Sequence, residues 1–295
     1  MNKNIKISII LSFFCLWLNS YFNDFFEDFI GFFFIFSIGI LHGANDLVLI
    51  KKINISKNSY SFVNILTYYV IIVLLAVLLF YLIPLFTLFF FIIVSGYHFG
   101  EQQLLYLNNL SNKSIIYLAS IVYGLFILFL LFCCHQQEVV NIIFEISQVN
   151  IPKKLFSIIL KILSVALFSI FLYLYIYQKN IQEKILLEVF YIGVFLVIFL
   201  SSGLIWGFAI YFIIWHSVPS MIDQIKFLYV DVNSKNLIQY IKTAFWYWII
   251  SLFGIFFLYY SFKDQKIFNA LFFSFLAAIT FPHVLVIIKM FEKNK

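Results

Sequence analysis

Residues 114–134 read SIIYLASIVYGLFILFLLFCC, a stretch without a charged side chain. A helix that crosses a bilayer needs about 20 predominantly apolar residues, so this stretch predicts one membrane span. Breaks at Lys, Asn, Asp or Pro divide the remaining chain into similar apolar runs. Together they give about ten candidate spans, near 5–20, 29–50, 62–83, 85–105, 114–134, 155–178, 185–202, 204–224, 239–260 and 267–290. Only Gly203 separates two of these spans, which predicts either a re-entrant pair or one long broken helix.

The composition of the whole chain agrees with these spans. Of its 295 residues, 64% are hydrophobic and 11% charged, and the mean hydropathy is +1.04. Soluble domains carry about a quarter charged residues because their surface faces water. This composition excludes a soluble domain, a disulfide-stapled secreted module, a disordered tail and a coiled coil. We predict an all-α fold, a polytopic transmembrane helical bundle of about 8–10 spans that forms a single integral membrane domain over residues 1–295.

The lysines predict the orientation of the chain. The formal net charge is +6, but the lysines are scattered between apolar runs, so we predict no nucleic-acid partner. With the N-terminus inside, about fourteen lysines fall on or near the cytoplasmic side and about five fall outside. We therefore expect a multi-pass protein of the cell (inner) membrane with a cytoplasmic N-terminus. The first span, behind Lys3 and Lys6, lacks a small-residue cleavage site and is predicted to be a retained anchor.

Four histidines lie within the predicted spans, where ionisable residues are costly and mark ligand, ion or proton sites. All four of their spans run in the same direction in the ten-span arrangement. Each histidine lies roughly 10–12 Å from the cytoplasmic boundary, and together they are His42, His98, His216 and His283. A lone histidine in a membrane helix can simply bond to a neighbouring helix, but four at one depth predict an intramembrane histidine cluster that binds one metal. His135, at the outer end of its span, is predicted to be interfacial.

The surroundings of these histidines narrow the choice of metal. Neutral imidazole suits iron, copper, zinc and nickel, and no Met or Cys lies near the cluster, so a mononuclear iron or zinc remains. Asp46 follows His42 by four residues and Gln102 follows His98 by four, so each shares a helical face with its histidine. We expect both side chains to orient imidazoles rather than to bind the metal. The nearby glycines either allow close helix packing or leave room for a bulky ligand.

Four short motifs surround the histidines: His42-Gly43 with Asp46, His98-Phe99-Gly100, Trp215-His216 and Pro282-His283. Their order, their spacing and their placement in apolar spans resemble the Brp/Blh family of integral membrane β-carotene 15,15′-dioxygenases of bacteria and archaea. The resemblance covers most of the chain. One position departs from the family, which commonly carries another histidine four residues after the Trp-His histidine. Here that residue is Ser220, and serine is a poor iron ligand.

The resemblance implies oxidative cleavage of the central 15,15′ double bond of β-carotene by dioxygen, which gives two molecules of all-trans-retinal. It implies Fe(2+) as cofactor, with His42, His98 and His216 as catalytic ligands and His283 as a fourth. Ser220, in place of the missing histidine, would lie beside the metal. Tyr97 and Trp215 would line the substrate channel. The partners implied are β-carotene or a related carotenoid, dioxygen, the lipid bilayer and a microbial rhodopsin that receives the retinal.

Three other functions also fit the sequence. A proton- or metal-ion-coupled transporter would also carry His, Asp and Glu in its spans, but it needs a polar path to both faces of the membrane. The outer halves of these spans are almost purely apolar. A catalytically silent carotenoid-binding member of the same family is favoured by Ser220. A haem protein with two histidine ligands also fits the residue types.

Overall fold

The computed structural model describes residues 3–54, 62–261 and 265–293. Within these ranges the chain is helical and contains no strand. The α-helices are α1 Lys3–Asn19, α2 Asp24–Phe34, α3 Ile40–Gly43, α4 Asp46–Asn54, α5 Phe62–Leu82, α6 Pro84–Gln103, α7 Lys113–Cys134, α8 Gln136–Ser147, α9 Lys154–Tyr177, α10 Gln182–Leu200, α11 Leu204–Ile210, α12 Val218–Tyr229, α13 Ser234–Ser261 and α14 Gln265–Lys293. Two π-helical stretches, Ile35–Gly39 and Tyr211–Ser217, join α2 to α3 and α11 to α12.

Six helical stretches in the described part of the chain are long and apolar enough to cross a membrane. They are Asp24–Ile53, Pro84–Gln103, Lys113–Cys134, Lys154–Tyr177, Leu204–Tyr229 and Ser274–Lys293. Each overlaps one of the predicted spans, so the polytopic helical fold is confirmed. Two shorter apolar helices, Ile5–Asn19 and Leu66–Leu82, overlap two more. Helices suit this setting because they satisfy every backbone polar group within one segment.

The sequence marks several helix boundaries directly. The side chain of Asn23 accepts a hydrogen bond from the Phe26 amide at 2.9 Å, and Asn112 accepts one from the Ile115 amide at 3.3 Å. These asparagines satisfy amides that have no partner within their own helix. At the predicted break near Gly203, α10 ends at Leu200 and α11 begins at Leu204, so two separate helices stand there.

The helices group into two compact units. The first unit contains Met1–Ile35, Ser95–Asn141 and Ile151–His216, and the second contains Phe36–Val94, Ile142–Asn150 and Ser217–Lys295. In the first unit, α7 packs against α9, α10 and α11, α2 packs against α11, and α1 packs against α10. In the second, α14 packs against α3, α4, α5 and α13, and α12 packs against α13. Each unit is built from three separate stretches of chain, and a single domain over residues 1–295 stays a prediction.

Glycines bring α6 and α7 into backbone contact within the first unit. A Cβ atom built at Gly100 would lie 1.8 Å from the Ser120 carbonyl oxygen, and one at Gly124 would lie 1.8 Å from the Gly96 carbonyl oxygen. A side chain at either position would force the two helices apart. Close packing therefore accounts for Gly96 and Gly100. By contrast, a Cβ at Gly43 would lie 3.6 Å from His283 Nδ1, an ordinary contact distance.

We expect Gly100→Ala to lower the free energy of unfolding by at least about 1–3 kcal/mol, because the methyl group overpacks the contact between α6 and α7. Gly193→Ala is the matched control, since a Cβ there meets nothing within 4 Å. That variant should be neutral or slightly more stable, because glycine is costly inside a helix. Chemical unfolding in detergent micelles measures both, and equal stabilities for the two variants would contradict this packing.

Candidate metal centre

His42 and His283 form a buried pair in the second unit. His42 lies near the end of α3 and His283 lies in α14, directly after Pro282. Their side chains are almost fully buried, and their ring centroids lie 4.8 Å apart with the rings perpendicular. The pair therefore places two imidazoles side by side in an apolar helical interior.

Hydrogen bonds at the Nδ1 atoms fix the tautomers of this pair. His42 Nδ1 donates to the carbonyl oxygen of Gly39, and His283 Nδ1 donates to Asp46 Oδ1 at 2.8 Å. Both acceptors lack a proton to give, so each Nδ1 carries the hydrogen. In a neutral imidazole the lone pair then lies on Nε2. Both rings thus offer Nε2 as the ligand atom, as neutral metal ligands require.

Asp46 contacts His283 rather than the histidine that precedes it by four residues. The helix is interrupted after Gly43 and resumes at Asp46, so His42 and Asp46 do not share one regular helix. Asp46 is buried, and its second carboxylate oxygen accepts a hydrogen bond from the Tyr69 hydroxyl at 3.0 Å. Both oxygens of the carboxylate are therefore bonded. Asp46 is held in place by Tyr69 and in turn fixes the ring of His283.

The carbonyl of His42, just before the interruption after Gly43, accepts hydrogen bonds from distant side chains. Gln224 Nε2 donates to this carbonyl at 2.9 Å, and the Tyr240 hydroxyl lies 3.2 Å from it. The same hydroxyl donates to Gln224 Oε1 at 2.8 Å, and Gln224 Nε2 also donates to Ser220 Oγ at 3.2 Å. Ser220, the residue that departs from the resemblance, is buried within this network. The network fixes the backbone beside His42.

His98 and His216 form a second buried pair, in the first unit. Their ring centroids lie 4.6 Å apart at an interplanar angle of 79°. The ring of Phe99 lies 4.6 Å from that of His216, and Phe212 stacks on His216 at 5.7 Å. His216 belongs to the π-helical stretch Tyr211–Ser217, and π-helical turns inside α-helices are frequent at functional sites. Apolar rings thus surround this imidazole pair.

Three other predicted residues lie near this second pair along the chain. The Trp215 indole donates to Ser12 Oγ at 2.9 Å, and its ring packs against Phe195 at 4.8 Å. The Tyr97 hydroxyl donates to Glu101 Oε1 at 3.0 Å. Gln102 is buried on α6, one turn after His98. These contacts are packing and hydrogen bonding, and a substrate channel along Tyr97 and Trp215 stays a prediction.

Within each unit two buried histidines lie side by side, His42 with His283 and His98 with His216. The clustering of histidines inside apolar helices, predicted from the sequence, is confirmed within each unit, and one metal shared by all four stays a prediction. The predicted ligand His216 contacts His98 within the first unit. Imidazole nitrogens of this kind bind iron, zinc, copper and nickel. A catalytic metal also needs coordination positions that its protein ligands leave open to other molecules.

Two buried polar residues, Glu188 and Tyr240, were not predicted from the sequence. Glu188 on α10 accepts hydrogen bonds from the Tyr123 hydroxyl at 2.9 Å and from Gln103 Nε2 at 3.0 Å. Glu188 could have been identified from the sequence, because a carboxylate inside a predicted span requires hydrogen-bond partners. Tyr240 is different, since nothing in the sequence distinguishes it from the other tyrosines, of which the chain has 19 in all.

Comparison with known proteins gives one match. A family model described as beta-carotene 15,15'-dioxygenase matches residues 33–291. This range includes the four histidines of both pairs, and it leaves α1 and almost all of α2 outside. No curated protein and no solved structure matches the chain.

Proposed function

The chain belongs to the beta-carotene 15,15'-dioxygenase family, and from this membership we propose that it cleaves β-carotene in the membrane at the central 15,15′ double bond. One molecule of dioxygen is consumed, the carbon–carbon double bond breaks, and each oxygen atom ends in one of two all-trans-retinal molecules. The observation that carries the proposal is the burial of His42, His98, His216 and His283 within apolar helical stretches of membrane length. Six membrane-length helices also suit a substrate that dissolves in lipid.

We propose Fe(2+) as the cofactor, held by His42, His98 and His216, with His283 as the fourth ligand. The donor set fits, because it consists of neutral imidazoles without a thiolate or thioether. When bound, ferrous iron supplies the redox chemistry by which dioxygen reacts with a hydrocarbon. Because the Nδ1 atoms of His42 and His283 are hydrogen-bonded, Nε2 would be the ligand atom of both residues.

The apolar surroundings contribute in two ways. The rings of Phe99 and Phe212 pack against His216, and apolar side chains of this kind exclude water, which would protect reactive species from side reactions. A carotenoid is itself a long hydrocarbon, so it can enter between helices directly from the bilayer without crossing water. The proposed location is the inner membrane with a cytoplasmic N-terminus, and the retinal passes to a binding protein such as a microbial rhodopsin.

A carotene assay in cells tests the proposed function. Bacterial cells that make β-carotene should lose their orange colour and accumulate retinal when they express this protein. The matched control is the same cells expressing the His42→Ala variant at an equal level in the membrane. Unchanged carotene and no retinal, despite wild-type protein in the membrane, would refute the enzyme and favour a silent carotenoid-binding member of the family.

Substitution of Ser220 tests whether the departure from the family pattern weakens the site. Because Ser220 Oγ already accepts a hydrogen bond from Gln224, we expect His283 and not position 220 to complete the ligand set. Ser220→His should therefore not raise retinal formation, and overpacking of this buried position should lower stability by about 1–3 kcal/mol. Ser220→Ala serves as the control and should retain retinal formation within about twofold, since Gln224 keeps its bond to the His42 carbonyl. A gain of activity in Ser220→His would contradict this ligand assignment.

A further inference from the structure

The stretch that ends at His216 is tied at both ends to the first two helices. This stretch, residues 203–216, contains α11 and most of the π-helical turn. The first two helices lie almost entirely before residue 33, where the match to the family begins. All of these residues belong to the first unit. The ties are therefore features of this chain that the family match does not cover.

Ser12 on α1 makes the tie next to His216. Its side chain is fully buried, and its hydroxyl donates to the Ser8 carbonyl at 2.8 Å. The hydroxyl oxygen accepts the indole N–H of Trp215 at 2.9 Å. Because the hydroxyl proton is already committed to Ser8, the oxygen is oriented to accept from Trp215. A buried indole N–H requires such a partner, so Ser12 fixes the side chain that directly precedes His216.

Glu27 on α2 makes the tie at the other end. Its Oε1 accepts a hydrogen bond at 2.5 Å from the amide of Gly203, the residue that precedes α11. A carboxylate at this position satisfies an unpaired amide and complements the positive end of the helix. The helices also touch closely here, because a Cβ at Gly31 would lie 2.9 Å from Ile205 Cγ2. Residues 203–205 are thereby held against α2.

We propose that α1 and α2 set the direction of the His216 side chain, with Ser12 and Glu27 as positioning residues. The inference rests on the proposed function, because it takes His216 as a metal ligand. A π-helical turn lacks the regular pattern that fixes side-chain directions in an α-helix. The direction of His216 therefore depends on where the two ends of residues 203–216 are held. Partners outside the coordination sphere commonly set metal affinity in this way.

Cobalt binding tests this inference without reference to catalysis. Purified metal-free protein in nanodiscs is titrated with Co(2+), and the visible ligand-field bands report affinity and geometry. We expect Ser12→Ala and Glu27→Gln each to weaken Co(2+) binding at least about tenfold and to shift the bands. The matched controls are Ser20→Ala, directly after α1, whose exposed hydroxyl donates to the Trp17 carbonyl at 2.7 Å, and Asp24→Asn in the first turn of α2. Both controls should bind as the wild type does.

Two variants of Ser12 with side chains of the same shape separate the loss of the hydroxyl from a change in packing. Ser12→Thr keeps the hydroxyl and Ser12→Val replaces it with a methyl group of the same shape, so the comparison remains valid if Ser12→Ala folds poorly. Ser12→Thr should bind Co(2+) at least about fivefold more tightly than Ser12→Val. Wild-type binding by Ser12→Val and Glu27→Gln, with unshifted bands, would overturn the positioning role alone. Absence of Co(2+) binding by the wild type would overturn the proposed metal site, and this inference with it.

Discussion

Replacement of a proposed ligand by alanine is expected to lower retinal formation more than about 100-fold and to remove bound iron. Loss of a partner outside the coordination sphere already costs about 10–100-fold, and loss of a ligand costs more. The substitutions are His42→Ala, His98→Ala, His216→Ala and His283→Ala. All four side chains are buried, so water cannot readily replace the missing imidazole. Chromatography of the products and mass spectrometry of the metal, on equal amounts of purified variant, measure the two effects.

His135→Ala is the matched control for these variants. His135 is also a histidine and directly follows the apolar helix α7, but its Nε2 lies 2.9 Å from the Phe199 carbonyl and its Nδ1 lies 3.5 Å from Glu138. It should keep its iron and its activity within a few-fold. Iron retained by all four alanine variants would show that the histidines bind no common metal.

Asp46→Asn is expected to weaken iron binding about 10–100-fold. The carboxylate is buried and bonded to His283 Nδ1, so its charge increases the basicity of the ring and holds its orientation. An amide of the same shape removes that charge. Tyr69→Phe should have a smaller effect, because it removes only the donor to the other carboxylate oxygen. Competition with a ferrous chelator gives the affinities.

Asp223→Asn controls for the loss of a negative charge. Asp223 forms a partly exposed ion pair with Lys226 at 3.6 Å on α12, and pairs of this kind contribute little. Its variant should bind iron with wild-type affinity. Equal affinities for Asp46→Asn and the wild type would mean that the carboxylate does not support the metal ligand.

Much of the fold could be predicted because hydropathy alone identifies membrane helices. A span must satisfy its backbone bonds internally and present apolar side chains to lipid, so a stretch such as 114–134 is recognisable without any tertiary information. The histidines were recognisable for a related reason. Ionisable residues are rare in such spans, and all four of the histidines singled out are buried.

The sequence could not give the partners of these histidines, because they are far away along the chain. Asp46 appeared to belong with His42, yet it bonds to His283, 237 residues later. That change depends on the interruption of the helix after Gly43, which Gln224 and Tyr240 stabilise through the carbonyl of His42. Periodicity assumes a continuous helix and therefore cannot predict an interruption that distant side chains support.

The amount of iron per chain is the sharpest test of the proposal that the four histidines bind a single metal ion. Purified wild-type protein, loaded with ferrous iron without oxygen and freed of excess, should contain one iron per chain. The same preparation should convert β-carotene to retinal when oxygen is admitted. Two iron ions per chain, or retinal formation by protein that contains no iron, would contradict a single catalytic iron bound by the four histidines.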